Sequence, residues 1–271
     1  MASFLKKLGD RLWQTWKPAL FSLGMVVLIA ASLFPYQKAI TTFVWEKTRQ
    51  PFLVTLLSPS DANLHFTMAE YYFHHGAYDI EQAKYLYERT ILLNPQHLEA
   101  HYQLGRIYFI QSQFWLALDH IRIVLNLDPE YKRGYYMHGL IHGYSGNMIQ
   151  AIYGFEEFIK RDDFNWAGYN DLAWVYFQIG DFGQTLEVAT RGLERAAGNP
   201  WLHNMRGLAL MNLGKSEEAR TDFLTAHKRV LEMTPADWGI AYPGNDPTIY
   251  AEGLKRMQEA IEHNLALIKT E

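Results

Sequence analysis

A small residue returns every 34 positions through the middle of the chain: Gly105, Gly139, Ala173 and Gly207. Pro95 and Pro129 keep the same interval, and between them run His101, Leu104, Gly105, Tyr108, Ala117 and Ile121. A unit of that length holds two antiparallel helices and a turn, with small residues where the helices approach and apolar ones filling the seam. One such unit cannot bury its apolar face alone, so the period dictates an all-α solenoid of stacked pairs. It points to a kind of activity, the holding of other polypeptides, without naming the polypeptide held.

Five units are legible, starting near Ala62, Leu98, Lys132, Trp166 and Pro200. The second carries Leu104, Gly105, Tyr108, Ala117 and a closing Pro129; the third keeps Tyr135, Gly139, Gly146, Ala151, Phe155 and Phe158. The fourth has Tyr169, Leu172, Ala173, Tyr176 and Gly180, with Thr185 and Gly192 at positions usually held by Ala and a larger apolar residue. The fifth has Gly207, Leu210, Gly214, Ala219, Phe223 and Ala226, with Arg206 in place of an expected Leu. The first has Met68, Ala69, Tyr72 and Gly76, then two extra residues before Ala83 and Tyr87. Over residues 62–235 this pattern resembles the tetratricopeptide repeat, which implies an α-solenoid of about five helix–turn–helix repeats acting as a protein-binding scaffold.

Aromatic residues make up 15% and hydrophobic residues 49% of the 271, ample for a core. The net charge of −4 is unevenly spread: residues 1–57 carry +5 and the remainder −9. An acidic repeat array repels phosphate backbones, which argues against nucleic acid as a partner. Cysteine is absent, so there is no disulfide framework and no thiolate metal site.

From Pro18 to Tyr36 run 19 residues without a formal charge, about the length a helix needs to cross the hydrocarbon of a bilayer. Trp13 and Trp16 on one side and Tyr36 on the other suit the interface. Residues 18–36 therefore read as a transmembrane signal-anchor helix in a lipid bilayer. Residues 1–17, with Phe4, Leu8 and Leu12 four apart among Lys6, Lys7 and Arg11, read as a basic amphipathic helix on its surface. The alternative is a cleaved leader, with Ala30-Ala31-Ser32 as the peptidase site. Four Lys/Arg precede the span and three follow it, a bias that places the N-terminus in the cytoplasm and the repeats outside the cell membrane.

Residues 37–61 form a juxtamembrane connector, interrupted at Pro51 and ending in the turn Ser58-Pro59-Ser60-Asp61. At the other end, 236–247 reads as a loop rich in Gly, Pro and Asp. Residues 248–271 read as a capping helix whose stripe of Tyr250, Leu254, Met257, Ile261, Leu265 and Ile268 covers the last repeat.

Several motifs of chemistry fail on context. Residues 209–216 match a relaxed phosphate-loop pattern, but such a loop leaves a strand, whereas here the first five residues lie in a helix. Gly143-Tyr144-Ser145-Gly146 resembles a nucleophile elbow with Asn147 in place of the needed Gly. His97/His101 and His138/His142 are spaced i, i+4, as in some zinc sites, but three of the four fall on positions that pack between helices. The sequence assigns no catalytic residue, cofactor or metal.

The resemblance also implies a concave groove lined by the first helix of each repeat. Carried onto this chain, it is formed by Phe66 and Phe73; Tyr102, Arg106 and Phe109; Arg133, Tyr136 and Tyr144; Asn170, Trp174 and Phe177; and Asn204 and Met211. Aromatic rings are enriched at binding hot spots. The amides of Asn170 and Asn204, one period apart, suit the backbone of an extended peptide. Family members that bind chaperone tails grip a terminal carboxylate with a clamp of Lys, Asn and Arg. The corresponding places here are Phe66, Glu70, Gln103, Arg133 and Met137, only one of them basic. An apolar or aromatic-bearing segment fits better. The expectation is a membrane-anchored adaptor for assembling envelope or membrane complexes; the alternatives are a self-associating homo-oligomer and, less favoured, a nucleotide-binding protein.

Overall fold

The computed structural model describes residues 34–74, 78–241 and 246–268, and the chain divides into two compact units, residues 1–65 and 66–271. The expected surface helix 1–17 and most of the expected span, up to residue 33, lie outside the described residues. Among the described residues there are 14 α-helices and no strand, and no helix is long and apolar enough to cross a membrane.

In the first unit, a 3-10 turn at Phe34–Tyr36 leads into α1 (Gln37–Thr48), and α2 (Pro51–Leu57) follows. Arg49 takes a left-handed conformation that ends α1, and Pro51 opens α2 at a position where its missing N–H costs nothing. The two helices are tied by the Gln37 side-chain amide donating to the Leu57 carbonyl. The side chain of Asp61 accepts from the Leu64 N–H at 3.0 Å and caps the next helix.

The repeats are α3 (Ala62–His74) with α4 (Ile80–Leu93), α5 (Leu98–Ile110) with α6 (Phe114–Leu127), α7 (Lys132–Tyr144) with α8 (Met148–Arg161), α9 (Trp166–Gln178) with α10 (Phe182–Arg195), and α11 (Pro200–Asn212) with α12 (Ser216–Leu231). Their boundaries are set locally. Asn165 and Asn199, one period apart, cap α9 and α11 by accepting from Ala167 N–H and Leu202 N–H. Asn147 and Asp181 do the same for α8 and α10. Each intra-repeat turn closes with a backbone bond from the N–H five residues along: Gln113 to Tyr108, Asn147 to His142, Asp181 to Tyr176 and Lys215 to Leu210, all 2.8–3.0 Å. The turn residue beside each bond has positive φ. It is Gly146, Gly180 and Gly214 in three repeats and Ser112, at φ 58°, in the second.

Helix pairing explains the period. The recurring small residue meets the side chain sixteen positions later on the second helix. A Cβ on Gly105, Gly139 or Gly207 would lie 2.8, 2.7 and 2.6 Å from Ile121, Phe155 and Phe223. The one Ala in the series, Ala173, has Ala189 sixteen positions on, and both are fully buried. Small residue and partner are therefore matched in volume repeat by repeat. Arg206, which replaces the expected Leu, is matched as well. Its guanidinium makes two 2.7 Å hydrogen bonds to Asp222 on the facing helix, and Asp222 also accepts from His203 at 2.8 Å.

Two features differ from the sequence expectation. The stretch 236–247, read as a loop, opens inside a seven-residue helix, α13 (Pro235–Ala241). Its anchor is Trp238, whose ring packs 5.8 Å from Tyr250 over Gly253; the aromatic contact outweighs a composition rich in turn formers. Second, Phe73 is 1% exposed and Tyr102 6%. The Phe73 ring goes down between helices instead of forming a groove wall, meeting Tyr87 edge-on at 6.4 Å, whereas Tyr102, though largely buried, still borders a cleft. The last helix, α14 (Tyr250–Ile268), buries Leu254, Ile261 and Leu265 in a cluster with Leu210, Phe223 and Val230 of the fifth repeat.

Candidate functional site

The first helices of the second, third and fourth repeats face two adjoining clefts. The smaller, about 390 Å³, is lined by Phe109 and Phe114, by Tyr136, Leu140 and Tyr144 of α7, and by Trp166, Asn170 and Asp171 of α9. The larger, about 790 Å³, continues over Tyr102, Arg133, Trp166 and Trp201. Ala241 reaches both, and Ile240, Asp237 and Met233 border the larger one. The far wall is thus supplied by α13 and its approach, a segment sequence reasoning left out of the site.

Seven of the thirteen expected groove residues do not line these clefts. Phe66 packs on His97 at 4.6 Å and Phe73 is in the core. The Arg106 guanidinium lies 4.9 Å over Phe73 and donates to Gln103 at 2.8 Å. Trp174 stacks on Tyr144 at 5.4 Å and 26°, with its ring edge against Gly143, and so supports the wall from behind. Phe177 leans on Phe182 at 5.5 Å, and Met211 packs into the C-terminal cluster. Asn204 accepts from the amide of Asn264 on α14 at 3.0 Å, so the capping helix has taken one of the two amides. The other, Asn170, lines the smaller cleft but donates to Asp171 at 3.0 Å. Tyr102, Phe109, Arg133, Tyr136, Tyr144 and Asn170 are brought together.

The aromatic surface is built from interlocked rings. Phe109 meets Tyr144 edge-on at 5.4 Å, and Trp166 stacks on Trp201 at 4.9 Å and 23°. Trp201 is the second residue of α11, one period on from Ala167, which borders both clefts. Asp171 gave a fainter signal, as the only formal charge in the segment WAGYNDLAWVYFQ. The Tyr136 hydroxyl donates to one of its carboxylate oxygens at 2.6 Å and Asn170 to the other. Burial pushes its carboxyl up to about 6, against the pull of those two hydrogen bonds.

Around the larger cleft, Asp237 accepts from the Thr234 N–H and hydroxyl, and the two cations are paired. Arg133 pairs with Glu99 at 2.8 Å and lies over the Tyr102 and Tyr131 rings; Lys132 pairs with Asp162 at 2.9 Å.

The rejected motifs have ordinary surroundings. His97 caps α5, its ring accepting from Ala100 N–H at 3.2 Å. His101 contacts His120 across the repeat seam at 2.9 Å, and the His138 and His142 rings meet at 4.4 Å. Residues 209–212 are helical, Gly214 is a turn, and Lys215 pairs with Glu218 at 3.6 Å. Ser145 ends α7 with its hydroxyl donating to the His142 carbonyl.

No protein-family model matches the chain, and no curated protein does. Solved structures do match. A MamA protein aligns with a TM-score of 0.56 at 19% identity, over 62% of this chain and 91% of its own. YrrB, a tetratricopeptide repeat protein with an unusual peptide-binding site, aligns at 0.54 and 15% identity, over 70% and 91%. A tetratricopeptide repeat protein from Parabacteroides merdae aligns at 0.53 and 17% identity, over 83% and 84%. At these identities the likeness is one of fold: the chain is an all-helical repeat solenoid of the tetratricopeptide type.

Proposed function

We propose that the chain is a membrane-anchored adaptor that captures a segment of a partner polypeptide in the aromatic cleft between α5, α7, α9 and α13. The observation that carries this reading is the convergence of Phe109, Tyr136, Tyr144 and Trp166 on one open recess. Rigid rings that stay solvent-accessible although a packed core lies beneath them are suited to binding, since they lose little entropy on contact. Tyr144 is 61% exposed. The likeness to YrrB, whose own peptide site is known, supports the same use of the fold. With α13 already forming one wall, the remaining channel suits a single extended strand or one face of a helix.

Anchoring belongs to the same proposal and rests on the uncharged run 18–36. The N-terminus lies in the cytoplasm and the repeats outside. Resistance of the full chain to carbonate extraction, with repeats digested by protease added to intact spheroplasts, is the expected outcome; release by carbonate overturns the anchor.

The capture reading is tested by affinity purification of the full chain from its own membrane, with Tyr136→Ala and Trp166→Ala against the exposed control Ile149→Ala. Loss of a co-purifying partner in the two cleft variants alone supports the groove. A partner undiminished in both, or a chain that recovers only copies of itself, overturns it.

A further inference from the structure

Asp171 poses a question that the groove reading does not answer. It lines the smaller cleft, and each of its carboxylate oxygens accepts one hydrogen bond from a neutral donor, Tyr136 or Asn170. Among the described residues no Lys, Arg or His forms an ion pair with it. A carboxylate held half-buried in a recess without a counter-charge is unfavourable for folding. The neighbouring charges, Arg133 with Glu99 and Lys132 with Asp162, are paired. The two donors fix the orientation of the carboxylate and leave lone pairs on both oxygens unused.

The surroundings select the sign and shape of the missing group. Tyr136, Tyr144 and Trp166 border the same recess, and aromatic faces attract cations through their quadrupoles. A purely apolar ligand would leave the carboxylate buried and unpaired. An anion would be repelled. A divalent metal is poorly served, because among the described residues no group of three acidic or imidazole ligands comes together. We propose that this recess is a subsite for one basic side chain, lysine or arginine, of the captured polypeptide, with its cation held between the Asp171 carboxylate and the aromatic rings. The unequal charge of the chain agrees, since residues 58–271 carry −9 and draw basic segments towards them.

This inference rests on the groove reading but fails separately from it. The probes are blocked single residues, Nα-acetyl-lysine methylamide and Nα-acetyl-arginine methylamide, with Nα-acetyl-norleucine methylamide as the neutral isostere of the lysine stem. Binding to the full chain in detergent is followed by saturation-transfer NMR. Both cationic probes should bind saturably at pH 7.5 and the norleucine probe about tenfold more weakly or worse. The near-isosteric Asp171→Asn should remove that preference while leaving the helical circular dichroism intact. Between pH 7.5 and 5 the cationic probes should weaken in the parent chain as the carboxyl takes up a proton, and not in Asp171→Asn.

Equal binding of norleucine and lysine, or a cation preference that survives Asp171→Asn, overturns the subsite. If Trp166→Ala abolishes partner capture while Asp171→Asn affects neither probes nor capture, the groove stands and the subsite falls. If the probes bind through Asp171 while capture survives every cleft substitution, the groove reading falls and the subsite remains.

Discussion

Substitution of Gly154 by Ala tests the packing logic at its tightest point. Gly154 on α8 lies against Gly139 on α7, and a Cβ there would sit 2.6 Å from the Gly139 nitrogen and 2.8 Å from its Cα. Ordinary contacts to such atoms begin near 3.4 Å, so α7 and α8 would have to separate by several tenths of an ångström. The obstacle is backbone, which cannot rotate away as a side chain can. Overpacking of this kind costs about 1–3 kcal/mol, and the rigid neighbour argues for the upper end. The better helix propensity of Ala returns up to about 1 kcal/mol. The net expectation is about 2 kcal/mol of destabilisation, or some 4–8 °C in Tm for a unit of this size. Gly139→Ala, whose Cβ meets the Phe155 ring at 2.7 Å, should cost less, since a ring can tilt. Gly183→Ala has only the Asp181 side chain near it, at 3.6 Å, and should be neutral or stabilising. The assay is urea unfolding followed by circular dichroism. A Gly154→Ala variant as stable as the parent, or more stable, would refute the close approach of the two helices.

Other consequences are open to the same assay. Burial, with a neighbouring histidine in each case, holds His120 and His138 down to about 4 from an ordinary 6.5. Their contribution is therefore complete above pH 6.5 and lost as pH falls towards 4, at most about 3 kcal/mol each. Asp171, raised to about 6, works in the opposite sense and returns up to about 3 kcal/mol over the lower part of that window. A net loss of about 3–4 kcal/mol between pH 7 and 4 is expected, and the double variant His120→Gln/His138→Gln should turn it into a gain of up to about 3 kcal/mol, the Asp171 contribution alone; equal urea midpoints for the parent chain at both pH values contradict this. Ser112→Gly should raise stability by about 0.5–1 kcal/mol, because Ser112 occupies with positive φ the turn position that is Gly in the next three repeats; a fall in the urea midpoint contradicts it. Asp222→Ala should destabilise by about 3 kcal/mol by leaving Arg206 and His203 unpaired in the seam. Adding Arg206→Leu should recover part of the loss, and strictly additive effects would refute the coupling.

The solenoid is legible in the sequence because its determinants are local and repeated. The turn glycines 146, 180 and 214, the caps Asn165 and Asn199 and the small residues of the seam all recur at the same interval. Pairwise complementarity is less legible. Arg206 reads as a departure from the pattern until Asp222 is seen opposite, and Gly154 has no repeat signature of its own. The site is the least legible part. An inner-face position does not say whether a ring points outward, as Tyr144 does, or down, as Phe73 does, because neighbouring helices decide the rotamer. The partner of Asn204 comes from α14, sixty residues later. The wall supplied by α13 depends on the Trp238–Tyr250 contact, which has no period to reveal it. Asp171 matters through the absence of a cation, which can only be read once the cleft is assembled.

The most direct test of the account places a photo-crosslinking residue, p-benzoyl-phenylalanine, at Tyr144 in the cleft and, separately, at Ile149, which is 78% exposed and borders neither cleft. Irradiation of the full chain in its own membrane should give a discrete adduct from position 144 only. Its crosslinked segment should come from another polypeptide and contain a Lys or Arg near the site of attachment. Equal adducts from both positions, or adducts only to a second copy of the chain, would contradict the claim that the aromatic cleft is where a partner is held.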